Sequence, residues 1–192
     1  MIEGTVCNKA IAYLKPIIHD NDQSLLNDEV LELSHEESIA ELPFNDDLII
    51  NFVYEVEDFE YFLYVNNGNL EEENMTIPEQ RHYGIDNLIE RANEYNLQIQ
   101  EYETGCYGLI LDGNFEASLI LIDNLWEDSL KHYITNNFIV AIPSRDVLVF
   151  CDSQSEQAIE ELKRTIQSVW EDGDHLLTNK LLIRSGGKWE YR

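Results

Sequence analysis

The segment FIVAIPSRDVLVFC, residues 138–151, decides the fold. It contains two apolar runs, 138–142 and 146–151, joined by Pro143-Ser144-Arg145. Both runs are rich in β-branched and aromatic residues, which favour strands. The link between them is too short for a parallel crossover, which needs a dozen or more residues. The segment therefore predicts an antiparallel hairpin.

Strand patterns recur along the chain, mostly in pairs with short links. They lie at 48–56 and 59–65, at 97–103 and 106–113, at 115–122, and at 180–184 and 188–192. Short links favour antiparallel pairing, and helical patterns interrupt the strands after each pair or triplet. We therefore expect an α+β fold, a mostly antiparallel sheet built from hairpins with helices packed on it.

Apolar residues at helical spacing predict the helices. The predicted spans are 2–14, 85–95, about 123–133 and 153–172, with a tight turn at 66–69 and a loop at 70–84. Pro16 ends the first helix, Asp123 caps the third, and Ser153 with Glu156 forms a capping box at the start of the last, which Gly173 ends.

Two domain arrangements fit this pattern. Residues 1–47 form an N-terminal helix and an acidic connector, and residues 48–192 form the α+β domain. Alternatively, the whole chain is one continuous domain, since its 192 residues lie within the usual size of one. Within the connector, residues 22–32 are either a short helix or part of an irregular link.

The charge of the chain is strongly unbalanced. It contains 38 acidic and 12 basic residues, a formal net charge of −26. Residues 1–104 hold 24 of the acids and only 4 of the bases. Such a potential repels phosphate backbones, so we expect no nucleic-acid partner, and it attracts a basic protein partner or cations. The alternative is that the acidity serves only to keep the protein soluble.

The cysteines and the apolar runs indicate the cellular compartment of the protein. Cys7, Cys106 and Cys151 are far apart in sequence and form no CxxC pair, which is typical of a reducing compartment. No basic start leads into an apolar stretch, and no apolar run approaches the ~20 residues that span a bilayer. We expect a soluble cytoplasmic protein without membrane contact.

No known catalytic or metal-binding motif appears in the sequence. The chain has no phosphate-binding loop and no nucleophile elbow. Its five histidines show no metal-ligand spacing, and Asp20-Asn21-Asp22 fails as a calcium loop at Leu25 and Leu31. We therefore expect neither a metal nor another cofactor. The run Glu71-Glu72-Glu73 is either a solvated acidic face or part of an acidic docking surface.

Two places carry chemically interesting side chains. Ser144, Arg145 and Asp146 bring a hydroxyl, a cation and an anion into one turn, a possible anion or partner site. The simpler alternative is an Arg–Asp pair in a turn that serine stabilises. Cys151 precedes a predicted helix, where a thiol can become reactive if a base such as His132 or His175 is close. The simpler alternative there is a buried thiol.

The stretch LILDGNFEASLILIDNLWED…FIVAIPSRDVLVF, residues 109–150, resembles the YtpQ-like family of bacterial proteins. The features that carry the resemblance are Asp112-Gly113, Glu116-Ala117-Ser118, Trp126 and the segment 140–150. The resemblance covers about residues 48–170 and rests mostly on 105–151. It implies a cytoplasmic α+β protein of bacterial origin, without an established activity or catalytic residues to transfer.

These observations leave three hypotheses about function. The first is a non-enzymatic binding protein, an adaptor or an immunity-type protein, that engages a basic protein partner through its acidic N-terminal half. The second is an enzyme, hydrolase-like, with a site near Arg145, Asp146 and Cys151. The third is a structural or assembly role.

Overall fold

The computed structural model describes residues 6–17, 33–56 and 62–192. The chain has the predicted α+β fold, with antiparallel sheets and helices. It divides into two compact units, residues 1–87 and 88–192, and the division falls within a long helix. The predicted boundary at 47/48 crosses one sheet, because strands on both sides of it pair with each other.

The first unit contains a sheet of four strands. Its elements are α1 (Val6–Lys9), β1 (Ile11–Pro16), β2 (Glu41–Pro43), β3 (Leu48–Glu55), β4 (Phe62–Tyr64), α2 (Asn67–Glu72) and the first part of α3 (Ile77–Glu94). Strand β3 is central and pairs with β1, β2 and β4. The pairing of β3 with β4 confirms the first predicted hairpin, whose turn lies outside the described residues.

The predicted helix over 2–14 is wrong beyond residue 9. Residues 11–16 form strand β1, and the side chains of Ile11 through Leu14 are all buried. A strand buried on both faces loses the alternation that marks strands in sequence, so its apolar residues also fit a helical period. Helix α3 supplies partners beside this strand, since the Asn87 side-chain amide donates to the carbonyls of Asn8 and Ala10, both at 2.8 Å.

The predicted turn at 66–69 and loop at 70–84 are also corrected. Asn66 and Asn69 cap helix α2 reciprocally, each side chain accepting from the other residue's backbone N–H. Helix α3 begins at Ile77, eight residues before the predicted start, and the Glu79 carboxylate accepts from the Thr76 N–H at 2.9 Å. Asparagine and proline favour turns, but both are also common at helix starts. The predicted connector helix at 22–32 lies outside the described residues.

The second unit contains a sheet of six strands. Its elements are β5 (Gln98–Glu101), β6 (Cys106–Ile110), β7 (Phe138–Ser144), β8 (Val147–Asp152), α4 (Glu156–Asp172), β9 (Leu182–Ser185) and β10 (Lys188–Tyr191), with helical turns at Ala117–Leu121, Leu125–Ser129 and Lys131–Tyr133. The strand order is β10-β9-β7-β8-β6-β5. Three predicted hairpins are confirmed, β5–β6, β7–β8 and β9–β10.

Both faces of this sheet are covered. On one face, Ala158, Ile159, Leu162 and Ile166 of α4 form a core with residues that include Ile139 and Cys151. The alternating side chains of the same strands point to the other face, where Trp126 makes edge contacts with Phe138 and Phe150. Strand β7 is buried along its whole length as a result.

Three local predictions in this unit are wrong. Residues 117–121 form a 3₁₀ helix and not a strand, and all five are buried, so no periodicity distinguishes the two structures. Asp123 caps no helix, because its carboxylate accepts from Arg184 at 2.8 Å. The cap of α4 is Ser155 in place of Ser153, while the predicted end at Gly173 is confirmed.

In the part of the chain that the structure describes, no helix is both long and apolar enough to cross a bilayer.

Helix α3 approaches the first sheet most closely at Gly84. A β-carbon there would lie 3.0 Å from the Ala12 amide nitrogen and 3.0 Å from the Phe52 ring. We expect Gly84→Val to lower the free energy of unfolding by about 2 kcal/mol, since overpacking outweighs the better helix propensity. The neighbouring exposed variant Tyr83→Val is the control, with an expected loss of about 0.5 kcal/mol. Equal losses in urea unfolding would contradict the close approach.

Candidate functional site

The turn between β7 and β8 contains the residues singled out in the sequence. Ser144 ends β7, and its hydroxyl donates to the Asp146 carboxylate at 2.6 Å. The Arg145 backbone is held on both sides, because its N–H donates to the His175 carbonyl at 3.2 Å and its carbonyl accepts from the Ala117 N–H at 3.0 Å. The turn is therefore fixed by backbone contacts with two other segments of its unit.

The Arg145 side chain does not pair with Asp146. It is half-buried, and among the described residues its guanidinium makes no hydrogen bond or ion pair. The expected Arg–Asp pair is replaced by the contact between Ser144 and Asp146. An uncommitted guanidinium is able to bind an anion with two donors. The anion or partner site at Ser144, Arg145 and Asp146 remains a prediction on this geometry.

Cys151 lies away from that turn. It is the fifth residue after Asp146 along strand β8, a separation of about 16 Å at 3.3 Å per residue. The thiol is fully buried, and a hydrogen bond with the Cys106 thiol, together with burial, raises the pKa of Cys151 far above its ordinary value. This burial agrees with the simpler of the two alternatives, a buried thiol.

Neither candidate base lies in contact with Cys151. His132 is exposed and its ring contacts Tyr133, with centroids 4.2 Å apart. His175 is also exposed, and its Nε2 lies 3.6 Å from the Asp174 carboxylate. In the described structure, the groups that the enzyme hypothesis needs are dispersed over one unit.

One pair of residues that the sequence did not point to is Cys106 with Cys151. The two residues are direct partners in the ladder between β6 and β8. The hydrogen bond from the Cys151 thiol lowers the pKa of Cys106 to about 7, an effect that burial opposes and the Thr104 hydroxyl assists. Forty-four residues separate the two in sequence. Only the pairing of strands that share no hairpin brings them together, so no local motif signals the pair.

One cavity of this unit lies beside helix α4 and has a volume of about 720 Å³. Its apolar wall includes Ile159 and Leu181, and its charged side chains are Glu156, Glu160, Lys163, Lys180 and Arg192. Lys163 is already paired with Glu160 at 2.6 Å. The two signs of charge are mixed around this cavity, so its electrostatics select no ligand class.

A different kind of site, an acidic surface, lies in the first unit. The turn at 34–38 packs beside helix α2, since the Gly68 N–H donates to the Glu36 carbonyl at 2.9 Å. The Asn67 side-chain amide donates to the His35 carbonyl at 3.0 Å. These contacts bring together four exposed glutamates, which we call the acidic corner: Glu36, Glu37, Glu71 and Glu72.

The three members of the predicted acidic run differ in their surroundings. Glu71 and Glu72 are exposed, and Glu71 lies 3.7 Å from the His35 ring nitrogen. Glu73 is half-buried, and its carboxylate accepts from the Cys7 N–H at 3.2 and 3.3 Å. Glu73 therefore supports the start of α1, whereas Glu71 and Glu72 present their charges to solvent.

Within residues 6–17, 33–56 and 62–192, no set of three or more histidine, cysteine, aspartate and glutamate side chains is arranged to hold a metal ion.

Comparison with known proteins adds no relative. No family model matches the chain, and no curated protein or solved structure matches it either. The resemblance to the YtpQ-like family therefore stays a prediction.

Arg184 and Arg145 differ in whether their guanidinium groups have partners, which gives a testable prediction. Arg184 has a side chain only 7% exposed, donates to Asp123 and Glu127, and lies over the Trp189 ring. We expect Arg184→Ala to lower the free energy of unfolding by about 2–3 kcal/mol, because it removes two hydrogen bonds to charged groups. Arg145→Ala is the comparison, with a change within about 0.5 kcal/mol. A large loss at Arg145, measured by urea unfolding, would show that its guanidinium has a structural partner.

Asp152 at the end of β8 gives a pH-dependent prediction. Partial burial raises its pKa, but the N–H groups of Gln154, Asn136 and Thr135 and the Asn136 side-chain amide outweigh this and lower the pKa to about 2. A carboxyl with a lowered folded pKa stabilises the fold above its unfolded pKa of about 3.9, and the stabilisation disappears as the pH falls toward 2.

We therefore expect Asp152→Asn to lower the free energy of unfolding by about 1 kcal/mol near neutral pH, a value reduced for solvent screening. The difference from the unaltered protein should shrink to nearly nothing at a pH of about 2. Urea unfolding over this pH range measures it, with Asp172→Asn on the exposed face of α4 as the control. A difference that stays constant with pH would contradict the assignment.

Proposed function

We propose that this protein is a non-enzymatic binding protein, an adaptor or an immunity-type protein, whose acidic N-terminal half engages a basic protein partner. The observation that carries the proposal is the acidic corner. Four exposed glutamates from the 34–38 turn and α2 lie together, and neither of these segments contains a lysine or arginine. Among the described residues, the basic side chain in contact with these glutamates is His35, whose ring nitrogen lies 3.7 Å from the Glu71 carboxylate.

The composition of the N-terminal half supports the same interpretation. Residues 1–104 contain 24 acids against 4 bases, so this half of the chain carries a large net negative charge. A patch of one sign attracts an oppositely charged partner before contact and raises the association rate by about tenfold or more at low salt. It also disfavours acidic partners, which gives selectivity without an extensive set of hydrogen bonds.

The chemistry of the second unit supports binding over catalysis. Arg145 and Asp146 lie at one end of β8 and Cys151 near the other, about 16 Å apart at the rise of a strand. Cys151 is buried and its pKa is raised, so it holds its proton at neutral pH. A hydrolase built on these three residues would need them within hydrogen-bond reach of one reacting atom.

The proposal includes a compartment. All three cysteines are free thiols, which supports a reducing environment such as the cytoplasm. The resemblance to the YtpQ-like family implies a bacterial protein, which agrees with this compartment.

The experiment compares three forms of the full chain as baits in a host lysate and then in binding kinetics with each retained protein. The first form is unaltered. The second carries Glu36→Gln, Glu37→Gln, Glu71→Gln and Glu72→Gln, which keep side-chain size and remove the charge of the corner. The control carries Asp128→Asn, Glu171→Gln, Asp172→Asn and Glu190→Gln, four exposed acids of the second unit. Both variants lose the same total charge.

We expect one basic protein to bind the unaltered and control forms and to associate about tenfold more slowly with the corner variant at low salt. Raising the ionic strength to shorten the Debye length from ~30 Å to ~8 Å should remove most of that difference. Equal association of the corner and control variants would refute the corner as the interface. An association rate that does not change with ionic strength would refute the electrostatic basis of the proposal.

A further inference from the structure

Cys106 and Cys151 form a cross-strand pair with a specific geometry. The Cys106 carbonyl accepts from the Tyr102 N–H at 2.9 Å, so the backbone polar groups of Cys106 point toward β5. In an antiparallel strand both polar groups of a residue point to the same side, and Cys106 therefore directs none of them at its partner on β8. The two cysteines are a non-hydrogen-bonded pair, the class in which opposite Cα atoms lie about 4.5 Å apart.

This spacing permits a disulfide. Disulfides join Cα atoms about 4.4–6.8 Å apart, and a non-hydrogen-bonded pair falls at the short end of that range. Both side chains point to the sheet face that α4 covers, where each is part of the same apolar core. The Cys106 Sγ lies 3.2 Å from the Ala158 carbonyl of that helix. The two thiols are thus already positioned side by side in the reduced protein.

A cavity leads to one of the two thiols. It has a volume of about 410 Å³, and Cys106 contributes to its wall together with Thr104, Leu162 and Thr165. Cys151 does not line this cavity. A small molecule that enters it therefore meets Cys106 first, with Cys151 behind it. This asymmetry gives the two thiols different roles.

We propose that Cys106 and Cys151 are a modification site, at which hydrogen peroxide enters the cavity and converts the two thiols into a cross-strand disulfide. The cavity selects the oxidant. Glu103 and Glu161 line it, so anionic disulfides are repelled, whereas hydrogen peroxide is small and neutral. The proposal concerns residues 102–165 only and does not depend on the acidic corner.

The reaction balances without any other reactant. The Cys106 thiolate attacks one peroxide oxygen, the O–O bond breaks, and hydroxide leaves and takes up the proton lost by Cys106 to become water. Cys106 is then a sulfenic acid. The Cys151 sulfur attacks the Cys106 sulfur, the S–O bond breaks, and the departing oxygen leaves as a second water with the Cys151 proton. Two thiols lose two electrons, and peroxide gains them.

The electrostatics of the pair agree with these roles. The hydrogen bond from Cys151 lowers the pKa of Cys106 to about 7, and the facing Glu161 carboxylate opposes this. The direction of this effect favours Cys106 over Cys151 as the thiol that attacks the peroxide. The third cysteine, Cys7, provides an internal reference, because burial and the Glu73 carboxylate raise its pKa to about 12.

The test measures thiols and mass after treatment of the full chain with hydrogen peroxide. We expect the three free thiols, titrated under denaturing conditions, to fall to one. Peptide mapping should show Cys106 joined to Cys151, with Cys7 unmodified. Cys151→Ser should stop at a sulfenic acid on Cys106 that dimedone traps, and Cys106→Ser should leave Cys151 reduced. Cys7→Ser is the matched control and should form the disulfide at the unaltered rate.

Access through the cavity is tested separately, so that a folding defect in a cysteine variant does not decide the outcome. Thr165→Leu narrows the cavity without touching either sulfur, and we expect it to slow disulfide formation about tenfold, whereas the exposed helix variant Ser168→Leu should not.

Glutathione disulfide, an anionic probe, should react with the unaltered chain more slowly than peroxide does. It should react faster with Glu161→Gln than with the unaltered chain. Three titratable thiols after treatment, or oxidation of Cys7 at the rate of Cys106, would overturn the proposal.

Discussion

The pairing of β7 with β8 is the constraint on which the second unit depends. All seven residues of β7 are buried, so this strand must be covered on both faces. Helix α4 covers one face and the segment around Trp126 covers the other. The short connection at residues 145–146 leaves the two strands no alternative partner order, and the outer strands add to them on either side.

This ladder also decides what the candidate residues can do. A hairpin places the ends of its strands about 16–20 Å apart, which is the rise of five or six residues. Arg145 and Asp146 lie at the turn and Cys151 near the open end, so the backbone holds these residues apart along β8. The same ladder sets Cys151 beside Cys106, from which it is remote in sequence. Strand β8 thus keeps Cys151 away from Arg145 and Asp146 and places it beside Cys106.

The acids of the first unit fall into two groups by what they contact. Glu73 accepts from the Cys7 N–H, and Glu37 and Glu79 accept from N–H and hydroxyl groups of Ser34 and Thr76. These carboxylates satisfy backbone donors at helix or turn starts, where negative charge is favourable. Glu37 is also a member of the acidic corner, whereas its other members, Glu36, Glu71 and Glu72, have no such role in the described contacts. The charges of these three carboxylates add self-repulsion without satisfying backbone donors.

Sequence predicted the parts of the fold in which local pattern and tertiary structure agree. The hairpins at 97–113, 138–151 and 180–192 have short links and alternating or β-branched residues, and each is present. The pattern failed where burial is complete, as in Ile11–Pro16 and Ala117–Leu121, because a continuous apolar run carries no period. The pattern also failed at the start of α3. The helix has a polar exposed face there, and Gly84, a poor helix former, lies where the helix packs on the first sheet.

The pairing of Cys106 with Cys151 could not be predicted from the sequence. Predicting it requires the order of strands in the sheet, then the register of β6 against β8, and then the parity of the hydrogen bonds. A shift of one residue would turn one thiol to the opposite face. The register is specified by burial, since Leu109 and Leu148 are paired in the same ladder and both are buried. The juxtaposition of Cys106 and Cys151 is therefore fixed by the same apolar packing that stabilises the unit.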